Sequence, residues 1–162
     1  MKLGSYKKGE QMYKEELSLN FVSIKLVKEE TLAINRPKVL GSPNDVYETL
    51  KGIYEGADRE KLIVMSLDSK NNVNSINLCH VGTVNSSVIH IREILKPIIL
   101  SNGVSFIVAH NHPSGNTEPS KEDLSVTKRL EQAADIFGIR FLDHLIIGDD
   151  SFLSLNDKGY MR

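Results

Sequence analysis

The sequence is poor in cysteine, and this excludes several kinds of site. Cys79 is the only cysteine among 162 residues, so the chain forms no intrachain disulfide and has no cysteine-rich zinc site. Cys79 lies in an apolar segment, which predicts a small core residue rather than a nucleophile. A zinc nucleoside deaminase needs a Cys-x-x-Cys pair, so that activity is excluded.

The chain also lacks long apolar runs and a strong net charge. No run approaches the length of a membrane span, and the first residues lack the apolar stretch of a signal peptide. We therefore expect a cytoplasmic protein with no membrane partner. Lys and Arg number 20 and Asp and Glu number 21, so no global field draws the protein onto nucleic acid. No internal repeat or low-complexity tract is present.

The remaining pattern predicts one domain with an N-terminal extension. A chain of this length can bury a single good core. Residues 1–41 include a predicted strand over 17–27, and we interpret them as an extension that packs on or leads into the domain. The domain itself is assigned to residues 42–162, because Ser42-Pro43-Asn44-Asp45 is typical of a helix start.

Helices alternate with strands over residues 42–162. Strands are predicted over 62–67, 73–81, 104–109, 139–147 and 151–155. Helices are predicted over 43–55, 92–101 and 121–137, where Pro97 kinks or divides the second helix and Gly138 caps the third. The third helix is expected to bury Leu124, Thr127, Leu130, Ala134 and Phe137. Hairpin and crossover connections together predict a mixed sheet covered on both faces.

Residues 110–123 contain the candidate metal ligands. His110 and His112 follow the apolar run 104–109, and residues two apart in a strand point to the same side. Asn111 and the Pro-Ser-Gly-Asn-Thr-Glu-Pro stretch are expected to end the strand. Ser120 is a predicted helix N-cap, which puts Asp123 in the first turn, facing back toward the strand. Two imidazoles and one carboxylate are the ligands of a catalytic zinc with an open fourth position, so we predict one Zn²⁺ per chain.

Each part of this pattern also has a simpler interpretation. A His-x-His pair alone is weak evidence for a metal, since surface and core histidines are commoner. Ser120 and Asp123 alone form a capping-box pattern. The combination is more specific, because two histidines end a strand and the next helix begins with an acid.

The spacing His-x-His, seven residues, Ser, two residues, Asp resembles the JAMM signature of the JAB/MPN metalloprotease family. The runs His110–Gly115 and Phe141–Gly148 resemble its RadC branch, and the resemblance extends from about Ser42 to the C-terminus. It implies a three-layer α/β fold with a mixed sheet, similar to that of cytidine deaminases. The chain resembles a short form, because no part of it looks like the helix-hairpin-helix region at the N-terminus of most RadC proteins.

The resemblance also implies an activity, namely zinc-dependent hydrolysis of a peptide or isopeptide bond in a protein or peptide substrate. The base that activates the zinc-bound water in this family is a glutamate at the start of a core strand. Glu60, directly before the run 61–67, fits that position. Glu93 is the alternative, although an acid in a first helical turn is expected for dipole reasons alone. Ser120 matches the family serine that steadies the oxyanion.

Further polar residues surround this ligand set in the sequence. Asn111, Ser114 and Asn116 are candidates for hydrogen bonds that support the ligands. Asp143 and His144 are adjacent in a predicted strand, so at most one of them can face the site. We interpret His144 as a hydrogen-bonded structural histidine.

The alternative function is a DNA-processing or DNA-repair-associated factor, either a metal-dependent nuclease or a non-catalytic module. The RadC name is associated with DNA repair, but these residues do not imply that role. The run His110-Asn111-His112 has the one-letter sequence HNH, but HNH nucleases have these three residues at dispersed positions and not in succession. A phosphodiesterase needs a cation near the metal, and residues 111–119 contain no Lys or Arg. We therefore expect weak or no direct nucleic-acid binding, and the sequence sets no oligomeric state.

Overall fold

A computed structural model describes residues 39–82 and 89–162, together with residues 23, 26, 27 and 29. Almost all of the predicted strand over 17–27 and of the N-terminal extension lies outside the described residues. Three helices and five strands follow one another along the described chain. Their bounds are α1 Pro43–Tyr54, β1 Lys61–Leu67, β2 Val73–Val81, α2 Ile91–Leu100, β3 Ser105–Asn111, α3 Lys121–Phe137, β4 Arg140–Ile147 and β5 Phe152–Ser154.

The five strands form one open mixed sheet in the order β2-β1-β3-β4-β5. β1 pairs antiparallel with β2 and β3, and β5 pairs antiparallel with β4, whereas β3 and β4 are parallel. A parallel pair needs a crossover connection, and α3 supplies it. The start of α3 therefore lies near the carboxyl end of β3, the edge at which open α/β sheets bind ligands.

Helices cover both faces of the sheet, which gives three layers. α1 packs on one face through Val46, Leu50 and Tyr54. α2 and α3 pack on the other face, through residues that include Ile98 and Leu130. β1 and β3 are central strands covered on both faces. Their sequences are therefore nearly continuous apolar runs, without the alternation of apolar and polar residues that a half-exposed strand shows. The predicted three-layer mixed α/β fold is confirmed.

The strand before the histidines is longer than predicted. β3 continues through His110 to Asn111, whereas the sequence pattern ended it at Ala109. Asn111 stays in the sheet because it pairs with Ile147 of β4 and because its side chain is also bonded, to the backbone that leads into β1. A long-range strand partner thus outweighs the turn-forming preference of asparagine.

The buried face of α3 also differs from the pattern. Phe137 is 55% exposed, so its predicted burial is wrong, while Val126 is a fully buried residue of α3 that the prediction omitted. The helical spacing reaches Phe137, but burial also needs an element opposite, and the fully buried stripe of α3 ends at Ala134. Pro97 does not divide α2, which is one continuous helix.

The described helices are short and mostly amphipathic. The longest, α3, has 17 residues. Within the described part of the chain no helix combines the length and the apolar character that a membrane crossing needs.

Candidate metal centre

His110 and His112 lie at the carboxyl end of β3 and point toward the start of α3. His110 is fully buried, and the side chain of His112 is 14% exposed. Their Nε2 atoms are 3.1 Å apart. The side-chain alternation of a strand therefore brings both imidazoles to one point, as their spacing predicts.

Asp123 joins the two histidines from the first turn of α3. Ser120 caps this helix: its hydroxyl accepts a hydrogen bond from Asp123 N, while Ser120 N donates to Asp123 Oδ2 at 2.8 Å. This reciprocal capping box fixes the carboxylate, which is 1% exposed. Asp123 Oδ1 lies 3.2 Å from His110 Nε2, and Asp123 Oδ2 lies 3.5 Å from His112 Nε2.

Each of the two imidazoles uses its Nδ1 atom for a hydrogen bond to a group outside the ligand cluster. His112 Nδ1 lies 2.6 Å from the carbonyl oxygen of Asn116, and a carbonyl only accepts, so His112 Nδ1 carries a proton. His110 Nδ1 lies 2.9 Å from His144 Nε2. Because each Nδ1 is engaged outside the cluster, Nε2 is the ring nitrogen of both histidines that faces Asp123 and is available to a metal.

The three side chains therefore fit a metal by chemistry as well as by position. One ligand atom from each of His110, His112 and Asp123 lies within 4.8 Å of the others. Two imidazole nitrogens and one carboxylate oxygen match the donor set of catalytic zinc sites, which leave a further position for water or substrate. The structure thus brings together the three predicted ligands.

The same contacts shift the protonation of the site. Burial alone raises the pKa of Asp123, but hydrogen bonds from His110 and His112 outweigh it and hold the pKa well below its usual range. The hydrogen bond to Asp123 raises the pKa of His112, against burial, which lowers it. Burial, followed by the charge of His110, lowers the pKa of His144 to about 3, so His144 is neutral at physiological pH.

Glu60 lies beside this group, at the residue before β1. Leu62 is paired with His110 at the end of the antiparallel β1–β3 register, and Lys61 N donates to the Asn111 side chain, so Glu60 lies near the strand end that leads to His112. The negative charge of Glu60 accordingly contributes to the raised pKa of His112. The catalytic role of Glu60 remains a prediction.

Glu93 is engaged elsewhere. It lies in the first turn of α2, where its carboxylate oxygens are 2.6 Å from Lys96 Nζ and 3.2 Å from Arg92 Nε. Hydrogen bonds from Lys96 and Arg92 lower the pKa of Glu93. Glu93 thus forms ion pairs on the exposed side of α2, and the choice of Glu60 over Glu93 as the base stays a prediction.

The three predicted supporting residues act in different ways. Asn111 Oδ1 accepts a hydrogen bond from Lys61 N at 2.8 Å, and Asn111 Nδ2 donates to the carbonyl of Arg59 at 3.2 Å. This amide therefore holds the backbone on both sides of Glu60. Asn116 supports His112 through its backbone carbonyl, and Ser114 accepts a hydrogen bond from Asn116 N and so braces the loop.

His144 is a site residue whose role the sequence did not reveal. Only one of Asp143 and His144 faces the ligands, as strand alternation predicts. His144 contacts His110, whereas Asp143 accepts hydrogen bonds from Ser154 Oγ and Asn156 N in the C-terminal turn. The missing information was that β4 lies next to β3, with His144 paired to Val108.

A close approach of two glycines shapes the loop after His112. A Cβ atom on Gly148, after β4, would lie 2.4 Å from the carbonyl oxygen of Gly115 and 3.1 Å from Thr117 Cγ2. His112 N also donates to the carbonyl of Ile147 at 2.9 Å. The loop that carries Asn116 therefore packs directly on the turn between β4 and β5, with no room for a side chain at Gly148.

Gly148→Ala is expected to destabilise the protein by about 1–3 kcal/mol, the usual effect of overpacking. It should also weaken zinc binding, because the displaced loop holds His112 through Asn116. Gly52→Ala is the matched control: Gly52 lies inside α1 with open space around its Cα, so alanine there should stabilise by up to about 1 kcal/mol. Urea unfolding of the metal-free variants measures the change in the free energy of unfolding for each substitution. Equal changes in Gly148→Ala and Gly52→Ala would refute the steric explanation.

Comparison with known proteins agrees with the geometry. The model of the RadC-like JAB domain family matches residues 40–160. A UPF0758 protein from Shouchella clausii is 41% identical over 145 residues, which is 90% of this chain and 62% of the relative. UPF0758 proteins from Methanosarcina acetivorans and Staphylococcus epidermidis are 38% and 45% identical over 133 and 118 residues, which are 82% and 73% of this chain.

These relatives are longer proteins, and their name states no activity. The chain spans 62% of the Shouchella clausii protein, 58% of the Methanosarcina acetivorans protein and 52% of the Staphylococcus epidermidis protein. The family match covers α1 to the C-terminal turn and includes all three candidate ligands. The chain therefore belongs to the family of RadC-like JAB domains.

Proposed function

We propose that this protein is a zinc-dependent hydrolase that cleaves a peptide or isopeptide bond. The observation that carries the proposal is the convergence of two imidazole Nε2 atoms and one carboxylate at the edge of the sheet, with each Nδ1 engaged by another partner. Three protein ligands are typical of zinc sites that react, whereas structural zinc sites are closed by four.

His110, His112 and Asp123 would hold the metal. Zinc bound by such residues supplies a Lewis acid that polarises a carbonyl and makes bound water acidic near neutral pH. Asp123 brings one negative charge, which stays ionised because its pKa is held low. Zinc binding would release the proton that Asp123 favours on His112.

Glu60 is proposed as the general base. Its carboxylate would take the proton of the attacking water and later deliver it to the leaving amine. Its position depends on backbone contacts that surround it: Gly82 N donates to the carbonyl of Glu60 at 2.8 Å, and Asn111 binds the two neighbouring peptide groups. These contacts fix the backbone from which the Glu60 side chain extends.

Ser120 is proposed to donate a hydrogen bond to the oxyanion that develops on the carbonyl. In the structure its hydroxyl lies 2.6 Å from Asp123 Oδ2 and donates to it. One rotation of its χ1 angle to another staggered position would redirect this proton. Its cap on α3 would then depend on the remaining bond between Asp123 Oδ2 and Ser120 N.

The surroundings favour an amide over a phosphodiester substrate. A cavity of about 890 Å³ lies between α1 and the loop after β3 and includes His112 in its wall. Among the described residues that line it, four are acidic and Lys51 is the one lysine or arginine, itself 2.9 Å from Glu48 Oε2. The acidic residues are Glu48, Glu55, Asp149 and Asp150. Such a wall repels a polyanion, which favours a peptide over a nucleic acid as the substrate.

The test is a hydrolysis screen on protein loaded with zinc. Peptides, branched isopeptides and single- and double-stranded DNA would be incubated with wild type and with His110→Ala. We expect amide cleavage that disappears in the variant, and weak, salt-sensitive DNA binding at most. Metal-dependent DNA cleavage by wild type that is absent in His110→Ala would overturn this proposal in favour of a nuclease.

A further inference from the structure

A chain of hydrogen bonds connects two of the candidate zinc ligands through the buried interior. His144 Nε2 lies 2.9 Å from His110 Nδ1, and His144 Nδ1 lies 2.7 Å from Thr127 Oγ1. Thr127 Oγ1 in turn lies 2.7 Å from the backbone carbonyl oxygen of Asp123. The side chains of His110, His144 and Thr127 are almost entirely buried, at 0–1% exposure, so water does not compete for these bonds.

Elementary hydrogen-bond chemistry sets the direction of the whole chain. The carbonyl of Asp123 only accepts, so the single hydroxyl proton of Thr127 points to it. Thr127 Oγ1 then accepts from His144 Nδ1–H. In the neutral imidazole of His144 the other nitrogen has no proton, so His144 Nε2 accepts from His110 Nδ1–H. His110 Nε2 is then the atom that faces Asp123 Oδ1, 3.2 Å away, and that is available to a metal.

We propose that His144 is a positioning residue that fixes the tautomer and orientation of His110 and couples it, through Thr127, to the start of α3. This inference rests on the proposed zinc site. Three elements are connected in this way: β3 carries His110, β4 carries His144, and α3 carries both Thr127 and Asp123. The partner that accepts from a ligating histidine orients the ring and raises its basicity, and here that partner is another histidine.

The chain offers variants that separate the parts of this network. His144→Leu removes the acceptor of His110 and leaves a buried N–H unpaired. His144→Gln can present an amide oxygen near the position of Nε2 and so keeps the acceptor. Thr127→Val removes only the hydroxyl. Thr49→Val is a matched control, because Thr49 Oγ1 also donates to the carbonyl four residues earlier, Asp45 O, at 2.7 Å, but in α1.

The experiment measures zinc affinity by competition with a chromophoric chelator, without any substrate. We expect a loss of about 10–100-fold for His144→Leu, a smaller loss for Thr127→Val, near wild-type affinity for His144→Gln and no change for Thr49→Val. The visible spectrum of the Co²⁺-substituted protein should shift in His144→Leu and Thr127→Val only. A general loss of core packing would instead affect His144→Gln and His144→Leu alike.

Wild-type zinc affinity in folded Thr127→Val and His144→Leu would overturn the inference. Circular dichroism and urea unfolding of the metal-free proteins identify variants that fail to fold; if His144→Leu is one of them, Thr127→Val against Thr49→Val decides. Because the readout is zinc binding, a hydrolysis screen that finds no activity would refute the proposed function and leave this result intact.

Discussion

Glu60→Gln is expected to lower the rate of hydrolysis by about 10²–10⁴-fold, the range that general-base catalysis contributes, while zinc remains bound. Glutamine keeps the size of the side chain and removes only its ability to take a proton. Glu60 is not among the three converging ligands, so the metal content should not change. The measurements are kcat on the best substrate of the hydrolysis screen and zinc per chain by elemental analysis.

Glu93→Gln is the matched control for this change. Glu93 is an acid in the first turn of α2, and its contacts are with Lys96 and Arg92 on the protein surface. Its replacement should leave both rate and zinc content unchanged. Loss of zinc in Glu60→Gln would show that Glu60 is a ligand, and loss of turnover in Glu93→Gln alone would move the base to α2.

One zinc per chain is the second expected result, and His112→Ala should weaken its binding more than about 100-fold. Loss of an outer hydrogen-bond partner already reduces zinc affinity by about 10–100-fold, and here a ligand itself is lost. The two remaining side chains, His110 and Asp123, cannot complete the set of three that catalytic zinc needs. Elemental analysis and chelator competition measure the effect.

His90→Ala controls for the loss of an imidazole in general. His90 precedes α2 without a side-chain hydrogen bond to the helix start and is exposed. Zinc affinity should be unchanged in this variant. Purified wild type that contains no metal, and whose unfolding temperature does not respond to added zinc, would contradict the assignment of the centre.

Local sequence patterns predicted the elements that carry the centre. Ser42 and Pro43 mark the start of α1, and the predicted bounds of α3 agree with those observed, because capping and helix-ending residues act on their immediate neighbours. The convergence of His110 and His112 follows from strand alternation, and Asp123 follows from the capping box. Each of these relations spans fewer than 15 residues.

The supporting contacts were not predictable in this way. Asn111 bonds to backbone 50 and 52 residues earlier, and His110 bonds to His144, 34 residues later. Alternation states which side chains share a face, but it does not state which strands are neighbours or in what register they pair. The length of β3, which reaches Asn111, and the exposure of Phe137 were not predictable for the same reason. Both depend on which element packs against the residue, and local sequence does not contain that information.

The sequence by itself therefore determined the fold class, the family and the three converging candidate ligands, since these depend on short-range periodicity, capping and a distinctive spacing. The tertiary structure alone decided the rest of the centre. It brought Glu60, at the start of β1, near His112 at the end of β3, and it set His144 behind His110 through the parallel pairing of β3 with β4. Strand order and register are set by packing of the whole core, so no single segment of the chain contains them.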